Sequence, residues 1–533
     1  MCEIGDRDMN LRENLLNLFK NRELDESQFI LGMDLGNSTS AICYYDVLRK
    51  LPEIIDISGG YGKANVPTAL QYSPDTKEWI FGEYAVLNDG VTEDISFTNI
   101  INRLGNKTYI EIGDKLEPLA HVLSVFLKEL IAGCRNINPK AEIAGIVISV
   151  PDYMSADAKD ELVRAFAKIG YDKKIIDLVS QRECILAYHY HSRKFDKENM
   201  LILDYGGREL RGGIYSLSAE SGANKADIIS YYFDESLGAN HIDEELAEKL
   251  KVIYANKLDL TMKGIGRTIE GQIRTLAYQH KDAIFQKHLG IKGMRLYYNF
   301  AYPPFYHIFT KEDAAQLITP YKSGLKAFLE KLFENNQSEG PRLIEYGDIS
   351  TVLCTGGGFE MLWAREVVED IFPDSNVFIY KNPKATGAFG AAVIAAGRLG
   401  VEQDKNIKVI DSLQVEDDIG IMAASSNGEK FYPIIQRGSF WWQNNKKVKL
   451  IVNEEIEDNI SFELKRRSEE GSFESIGIVE LNGLAARPKG VTQVELSLEY
   501  KDKNTLCAMV EDKGFGNFYM KTGAKNKVLF ELN

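Results

Sequence analysis

The 533-residue sequence has no long apolar run, and its six cysteines show no paired spacing. No apolar stretch approaches the ~20 residues that a membrane-spanning helix needs, and the charged start of the chain does not resemble a signal peptide. The cysteines form no Cys-x-x-Cys pair, which argues against a zinc or redox motif. We therefore expect a cytoplasmic protein with buried free thiols.

Positive charge is also scarce. The sequence has 63 basic and 78 acidic residues, a formal net charge of −15. An acidic surface repels nucleic acids and anionic membranes, so we expect neither as a partner. The hydrophobic content of 44% and the charged content of 26% are ordinary for a globular protein. The chain is too long for a single core.

The hydrophobic pattern changes along the chain. Residues 1–27 form a charged amphipathic segment, which we interpret as a helical extension. Between 28 and 400, strand patterns alternate with helix patterns, which predicts an α/β fold with a parallel or mixed sheet. Residues 401–413 are interpreted as an interdomain linker. From 414 to 533, period-two alternation between turn signals predicts an all-β sandwich.

Two apolar strands end in the same Asp-x-Gly motif, 170 residues apart, at Asp34-Leu-Gly36 and Asp204-Tyr-Gly206. A third glycine turn, Gly356 to Gly358, also follows an apolar strand. Such turns let main-chain N–H groups approach an anion, while a carboxylate holds the water shell of a divalent cation. The set predicts a clamp for nucleotide phosphates. The alternative is that the aspartates only cap strands and the glycines only turn the chain.

These motifs resemble those of the seventy-kilodalton heat-shock chaperones, members of the actin-like ATPase superfamily. The shared motifs of the ATPase half are Gly32-Met-Asp34-Leu-Gly36-Asn37-Ser38-Thr39, Val66-Pro67-Thr68, Val150-Pro151, Leu203-Asp204-Tyr-Gly206-Gly207, Leu237-Gly238-Ala239, Thr355-Gly356-Gly357-Gly358 and Phe389-Gly390-Ala391-Ala392. The β half shares Tyr432-Pro433-Ile434-Ile435 and a run from Ile476 to Glu495. The β-half motifs separate the chain from actins and sugar kinases.

The resemblance implies a two-lobed, actin-like ATPase domain, with a first lobe at about 28–200 and a second at about 201–400. The linker 401–413 then leads to a substrate-binding β-sandwich at 414–533. We expect the family's helical lid to be missing, because the sequence stops after the last strand. Without a lid, a bound peptide is expected to dissociate quickly.

The resemblance also implies that ATP or ADP binds with magnesium in the cleft between the lobes. The nucleotide-binding positions that match the family motifs are Asp34, Gly36, Asn37, Ser38, Asp204, Gly206, Gly207, Gly238, Gly356, Gly357 and Gly358. Asp34 and Asp204 are the residues expected to hold the magnesium ion through water.

Four departures from the family pattern leave the catalytic residues unassigned. Asn102 replaces a lysine that positions the attacking water, and Ser180 replaces a glutamate. In the second loop, Glu209 replaces a threonine and Arg211 replaces a metal-side aspartate. Each lost electrostatic group costs ~10²–10³ in rate, so we expect weak or no ATP hydrolysis. Arg208 and Arg211 either contact phosphate or form a paired cluster with Glu209.

In the family, an extended peptide lies in a channel of the sandwich. By position, Ala424 is expected near the covering arch, with Ile460 and Phe462 near the pocket floor. The alternative is that Ile460 and Phe462 are ordinary core residues. The aromatic run 440–442 is either an exposed binding patch or part of the core. Residues 407–411 keep the outline of the family's docking linker, with a lysine at 408.

The expected function is that of a heat-shock-70-like chaperone, which binds nucleotide in the cleft and unfolded or extended protein segments in the sandwich. Its expected partners are client polypeptides and a nucleotide-exchange factor or co-chaperone. The alternative is a pseudo-ATPase scaffold with structural nucleotide or none. Small-molecule phosphotransfer is disfavoured because the sequence places no general base facing Asp34 and Asp204.

Overall fold

The chain divides into two compact units, the first ending at Ile410 and the second beginning at residue 411. The structure, a computed structural model, describes residues 28–532 except 58–63, 107, 114, 141, 153, 192, 195, 221–222, 286–291, 335–343, 403–406, 411–414, 426–427, 440–444, 469–470, 503–504 and 517. The expected extension at 1–27 and the aromatic run 440–442 lie outside these residues. Within them, no helix is long and apolar enough to cross a membrane.

Strands and helices alternate in the first unit. Its strands are β1 (Gln28–Leu35), β2 (Thr39–Asp46), β3 (Leu51–Ile54), β4 (Val66–Pro67), β5 (Leu70–Tyr72), β6 (Trp79–Phe81), β7 (Ile95–Phe97), β8 (Tyr109–Ile112), β9 (Lys115–Pro118), β10 (Glu142–Val150), β11 (Ile175–Ser180), β12 (Glu198–Tyr205), β13 (Leu210–Glu220), β14 (Ala223–Asp234), β15 (Met294–Tyr298), β16 (Phe305–Phe309), β17 (Thr351–Thr355), β18 (Asn376–Ile379) and β19 (Ile407–Ile410). Its helices are α1 (Glu83–Asn88), α2 (Leu119–Ala132), α3 (Cys134–Ile137), α4 (Ala156–Lys168), α5 (Gln181–His191), α6 (Ala239–Lys257), α7 (Arg267–Phe285), α8 (Lys311–Glu334), α9 (Leu362–Ile371) and α10 (Thr386–Arg398).

Two sheets of this unit share one strand arrangement. The first sheet has the order β11-β10-β1-β2-β3, with β4 paired to β2, and the second has the order β18-β17-β12-β13-β14-β19. The leading strands β1 and β12 each lie parallel to one neighbour and antiparallel to the other. Asp34 and Asp204 therefore occupy equivalent positions, each one residue before the end of its leading strand.

Helices cover both faces of the first sheet. Leu31 and Met33 of β1 pack in a core with residues of α2 and α4, whereas Ile30 packs in a second core with α5 and α10. A strand that is buried on both faces has a continuous apolar sequence, as β1 does. The described cysteines, at 43, 134, 184, 354 and 507, are buried and free, which confirms the expectation for these five.

Helix α10 packs on the first sheet, although it follows the strands of the second sheet in the sequence. A Cβ atom at Gly32 would lie 2.1 Å from the backbone nitrogen of Ala392, and one at Gly390 would lie 1.7 Å from the carbonyl oxygen of Cys184. Glycine is required where backbones approach this closely. The interpretation that 201–400 forms the second lobe is thus wrong for α10, which belongs with the first sheet.

Strand β19 comes from the segment that was interpreted as a linker. It pairs in parallel with β14 at the edge of the second sheet, from Asn224 opposite Ile407 to Asp227 opposite Ile410. The side chain of Ile407 is buried and that of Val409 is half-buried. This part of the linker is therefore an ordered edge strand of the first unit.

The secondary structure of the second unit, in the residues described, is made of strands. They are β20 (Asp418–Ser425), β21 (Gly428–Ile435), β22 (Asn445–Val452), β23 (Asn459–Arg467), β24 (Phe473–Asn482), β25 (Thr492–Asp502), β26 (Thr505–Gly514) and β27 (Lys525–Glu531). They form two four-stranded sheets, with the orders β21-β20-β23-β24 and β22-β25-β26-β27. Inward-facing residues of both sheets form one shared apolar core. Alternating strands around a common core are typical of a β-sandwich.

Candidate functional site

A cleft in the first unit collects the carboxyl ends of β1, β12 and β17. It contains about 1120 Å³ of space, part of which is open solvent. Its lining residues are Asp34, Leu35, Gly36, Asn37, Ser38, Thr39, Pro151, Gln181, Asp204, Gly206, Gly207, Arg208, Glu209, Arg211, Ala239, Asn240, Asp243, Lys281, Asp282, Phe285, Gly356, Gly357, Glu360, Met361 and Lys384. The two Asp-x-Gly motifs and the third glycine turn, far apart in the sequence, thus meet at one site.

Both strand-end aspartates line the cleft, where Asp34 is buried and the side chain of Asp204 is 14% exposed. Burial raises the pKa of Asp34 to about 7, and the carboxylate of Asp204 adds to this rise. Burial also raises the pKa of Asp204 to about 6, against the opposing effect of the Arg211 guanidinium. Perturbed carboxyl groups in a cleft mark a candidate functional site.

The first two glycine turns touch across the cleft. The side-chain amide of Asn240 donates a hydrogen bond of 3.1 Å to Ser38 Oγ. A Cβ atom on Gly207 would lie 2.3 Å from that same oxygen, so no larger residue fits there. The two turns are therefore in contact with each other, and both line the cleft.

Helix α6 begins directly behind the second turn. The N–H groups of Ala239 and Asn240 donate to the carbonyl oxygens of Gly206 and Gly207, at 3.0 and 2.7 Å. Gly238 packs against the turn, because a Cβ atom there would lie 2.2 Å from the carbonyl carbon of Arg208. Gly238 thus supports the second turn from behind, whereas the motif analysis assigned it to the nucleotide.

The third glycine turn closes the cleft beside Asp204. Gly356 has a φ of +84°, and a Cβ atom there would lie 2.6 Å from Asp204 Oδ1. Gly357 also lines the cleft. Gly358 packs on the ring of Tyr205, where a Cβ atom would be 2.1 Å from Cγ. Nucleotide contact by these glycines stays a prediction, and Gly358 has a packing role.

Arg211 lies in a cluster of charged and polar groups that line the cleft. It stands opposite Asp204 in the β12–β13 pair, with Nη1 3.8 Å from Asp204 Oδ2. Its Nε donates to Glu209 Oε1 at 2.5 Å, and its Nη1 donates to Gln181 Oε1 at 3.0 Å. For Arg211, this arrangement agrees with the interpretation that it pairs with Glu209 in a charged cluster. Arg208 instead makes a solvent-exposed ion pair with Glu235 at 3.2 Å.

Two further departures from the family pattern form local contacts. Asn102 and Asn37 form an amide pair, in which the Asn102 N–H donates to Asn37 Oδ1 at 2.8 Å and Asn37 Nδ2 donates to Asn102 Oδ1. Ser180 accepts the N–H of Glu183 at 3.3 Å at the start of α5. Its neighbour Gln181 lines the cleft. Sequence reasoning missed Gln181, whose one signal was its place directly after a strand end.

The cleft lining also contains charged residues that were not among the assigned nucleotide-binding positions. Lys281 of α7 pairs with Asp243 of α6, and Lys384 pairs with Glu360 at 2.9 Å. Burial raises the pKa of Asp243, and Lys281 opposes this rise. The Lys384–Glu360 pair had no signal in the sequence, because it joins residues on separate turns.

The lining of the cleft suits a nucleotide better than it suits magnesium. The lining combines main chain of the glycine turns with the apolar side chains of Phe285 and Met361, which suits a phosphate-bearing aromatic ligand. Magnesium fits poorly because the guanidinium of Arg211 lies beside Asp204. Among the described residues, no group of three or more Asp, Glu, His or Cys side chains is arranged to hold a metal. Magnesium on Asp34 and Asp204 stays a prediction.

The peptide-site residues expected in the second unit lie on two neighbouring strands. Ala424 is exposed on β20. Ile460 on β23 is 7% exposed and belongs to the sandwich core, and Phe462 packs against that core. These positions agree with the core interpretation of Ile460 and Phe462, and peptide contact stays a prediction.

Comparisons with known proteins give low similarity over nearly the whole chain. Residues 51–258 match a family of unknown function (DUF5716) C-terminal, and residues 414–532 match a domain of unknown function (DUF8552). The chain is 21% identical to chaperone protein DnaK of Thermosipho melanesiensis, over 92% of this chain and 79% of that protein. It is 24% identical to chaperone protein DnaK 1 of a Synechococcus species, over 91% and 65%, and to chaperone protein DnaK of Thermoplasma volcanium, over 91% and 76%. These matches support a relationship to the seventy-kilodalton heat-shock proteins.

Proposed function

We propose that this protein is a heat-shock-70-like chaperone that binds ATP or ADP in the cleft and extended polypeptide segments in the β-sandwich. The observation that carries the proposal is the meeting of three glycine turns and two strand-end aspartates in one cleft. The repeated strand order of the two sheets supports a two-lobed, actin-like ATPase architecture. The low-identity similarity to proteins named DnaK chaperones supports the chaperone part.

The nucleotide part is tested by isothermal titration of the full chain with ATP, ADP and GTP, with and without magnesium. We expect one adenine nucleotide per chain and a weaker response to GTP. As a control for the cleft, we choose Gly207→Leu, because its side chain would collide with Ser38 and Asn240. Loss of binding in this variant, with unfolding temperatures of the second unit unchanged, places the ligand in the cleft. Absence of heat with all nucleotides contradicts the proposal.

ATP hydrolysis is predicted to stay near the uncatalysed rate. Phosphoryl transfer depends on positioning and charge neutralisation, and each missing electrostatic group costs ~10²–10³ in rate. Here Asn102 is paired to Asn37, and Arg211 is paired to Glu209. Phosphate release at saturating magnesium-ATP measures this rate, with Asp204→Asn as the background control. Turnover well above that control would show that the site hydrolyses ATP by another arrangement.

The peptide part is tested with fluorescent heptapeptides that differ in their central residue. We expect micromolar binding of peptides with a central leucine and fast dissociation. Ala424→Trp, at an exposed position on β20, is expected to weaken peptide binding. Lys449→Trp, at an exposed position on β22, is the matched control. Equal effects of both substitutions contradict a site at Ala424.

Coupling between nucleotide and peptide depends on β19. Because Val409 is half-buried in the strand that pairs with β14, Val409→Asp together with Ile410→Asp is expected to detach this strand. We predict that any nucleotide effect on the rate of peptide release is lost in this variant. The measurement is stopped-flow release with ATP, with ADP and without nucleotide. A nucleotide effect that survives the double substitution rules out β19 as the coupling element.

The charges of the cleft favour a second candidate, a pseudo-ATPase scaffold with structural nucleotide or none. Every basic residue that lines the described cleft has a carboxylate partner within the protein. The pairs are Arg208–Glu235, Arg211–Glu209, Lys281–Asp243 and Lys384–Glu360. A cleft that is neutralised by its own side chains needs no bound anion. The nucleotide titration separates the two candidates.

A further inference from the structure

Arg211 places a fixed guanidinium in the cleft, ion-paired with Glu209. Arg211 lies on β13, and its partner in the β12–β13 pair is Asp204. The side chain of Arg211 is 13% exposed and lines the cleft together with both strand-end aspartates. Because strand register and burial fix this guanidinium, its charge is present before any ligand arrives.

The neighbours of Arg211 hold it in one orientation. Glu209 accepts from Nε at 2.5 Å, and Gln181 accepts from Nη1 at 3.0 Å. The carboxylate of Asp204 lies 3.8 Å from Nη1. Ordering such a side chain in advance avoids an entropy cost when a ligand binds.

A divalent cation at the same place would meet this guanidinium. A magnesium ion next to Asp204 is expected to be repelled by Arg211, because both are cations in a buried environment. The described residues also form no cluster of three metal-ligand side chains. Arg211, although ion-paired with Glu209, is therefore a side-chain cation at the place where a metal would otherwise stand.

We propose that Arg211 takes the place of the divalent cation, so that the cleft binds a nucleoside phosphate without metal. This inference rests on the proposed nucleotide binding and specifies which group neutralises the phosphates. A guanidinium suits the role because its planar set of N–H donors matches phosphate oxygens. The ligand class is a nucleoside diphosphate or triphosphate that binds as the free anion.

The test is titration of the full chain with ADP in two buffers, one with excess magnesium and one with EDTA. We expect ADP to bind at least as tightly in EDTA as in excess magnesium, because magnesium converts ADP into its metal complex and the site is proposed to take the free anion. Arg211→Ala is expected to weaken ADP binding in EDTA by about 10-fold to 100-fold, the range of one charge-assisted hydrogen bond. Arg211→Lys is expected to retain part of the affinity.

Arg49→Ala is the matched control, because it removes the same charge from a solvent-exposed ion pair with Glu53 outside the cleft. We expect it to change the ADP affinity by less than about threefold. ADP binding that requires magnesium overturns the inference and leaves the proposed function standing. No ADP binding in either buffer overturns the proposed function itself. The comparison of buffers uses the unaltered chain, so it remains decisive even where Arg211→Ala fails to fold.

Discussion

Replacing Arg487 with alanine is expected to lower the free energy of unfolding of the second unit by about 3–5 kcal/mol. Arg487 and Asp512 form a buried bidentate ion pair, with nitrogen–oxygen distances of 2.7 and 2.8 Å. Their side chains are 1% and 0% exposed. Arg487 also donates to the carbonyl oxygen of Met520 at 2.8 Å. Alanine would leave a buried carboxylate without its cation, which is the costly way to break such a pair.

The effect is also expected to depend on pH. Burial favours a raised pKa for Asp512, but hydrogen bonds from Arg487, Thr522 and Gly514 outweigh it and hold the pKa well below its usual range. A depressed pKa contributes stability above the unfolded value of about 4. This stability is lost as the pH falls further. The difference between wild type and variant is therefore expected to be largest at neutral pH and to shrink towards pH 3.

Hydrogen exchange of peptides from β25 and β26 measures this stability within the second unit. We expect their exchange to become about 10²–10³ times faster in Arg487→Ala. Arg466→Ala is the matched control, because Arg466 pairs with Glu474 at the surface at 2.7 Å, and such pairs contribute about 0–1 kcal/mol. Equal effects of the two variants would show that the buried ion pair contributes no more to the free energy of unfolding than the surface pair.

Local sequence patterns predicted those parts of the site that depend on single strands. A buried strand followed by Asp-x-Gly places a carboxylate beside a turn, and this holds for both Asp34 and Asp204. Their meeting in one cleft follows from the repeated strand order. In the second unit, period-two alternation gave the inward-facing side of β23 correctly, but it does not distinguish a core residue from the floor of a peptide channel. Ile460 is the example.

What the sequence did not reveal depends on contacts between distant segments. Helix α10 returns to the first sheet because Gly32 and Gly390 allow close backbone contact, and no periodicity indicates which sheet a small-residue helix covers. The partners of Arg211 follow from the β12–β13 register and from Gln181 on a different element. Such pairs are set by tertiary packing. Motif matching therefore identified Arg211 as a departure from the family pattern but did not predict its contacts with Glu209 and Gln181.

Replacing Asp34 with asparagine is expected to stabilise the first unit at pH 8 by up to about 4 kcal/mol. Burial raises the pKa of Asp34 to about 7 in the folded protein, whereas an exposed aspartate has a pKa of about 3.9. Between these values the folded state binds one more proton than the unfolded state, so stability falls as the pH rises. Above about pH 7 the full cost of the buried charge is present. Asparagine keeps the shape and removes the charge.

The variant and the wild type are therefore expected to be about equally stable near pH 4 and to diverge as the pH rises towards 8. Hydrogen exchange of peptides from β1 and β12 at several pH values, with EDTA present, measures this divergence in the first unit. Asp282→Asn is the matched control, because Asp282 also lines the cleft but has an exposed side chain. A stabilisation that is independent of pH, or one that Asp282→Asn reproduces, would contradict the burial of an ionisable Asp34. A pH-dependent gain would mean that the protein keeps a destabilising carboxylate in the cleft, a cost that selection retains at sites that bind ligands.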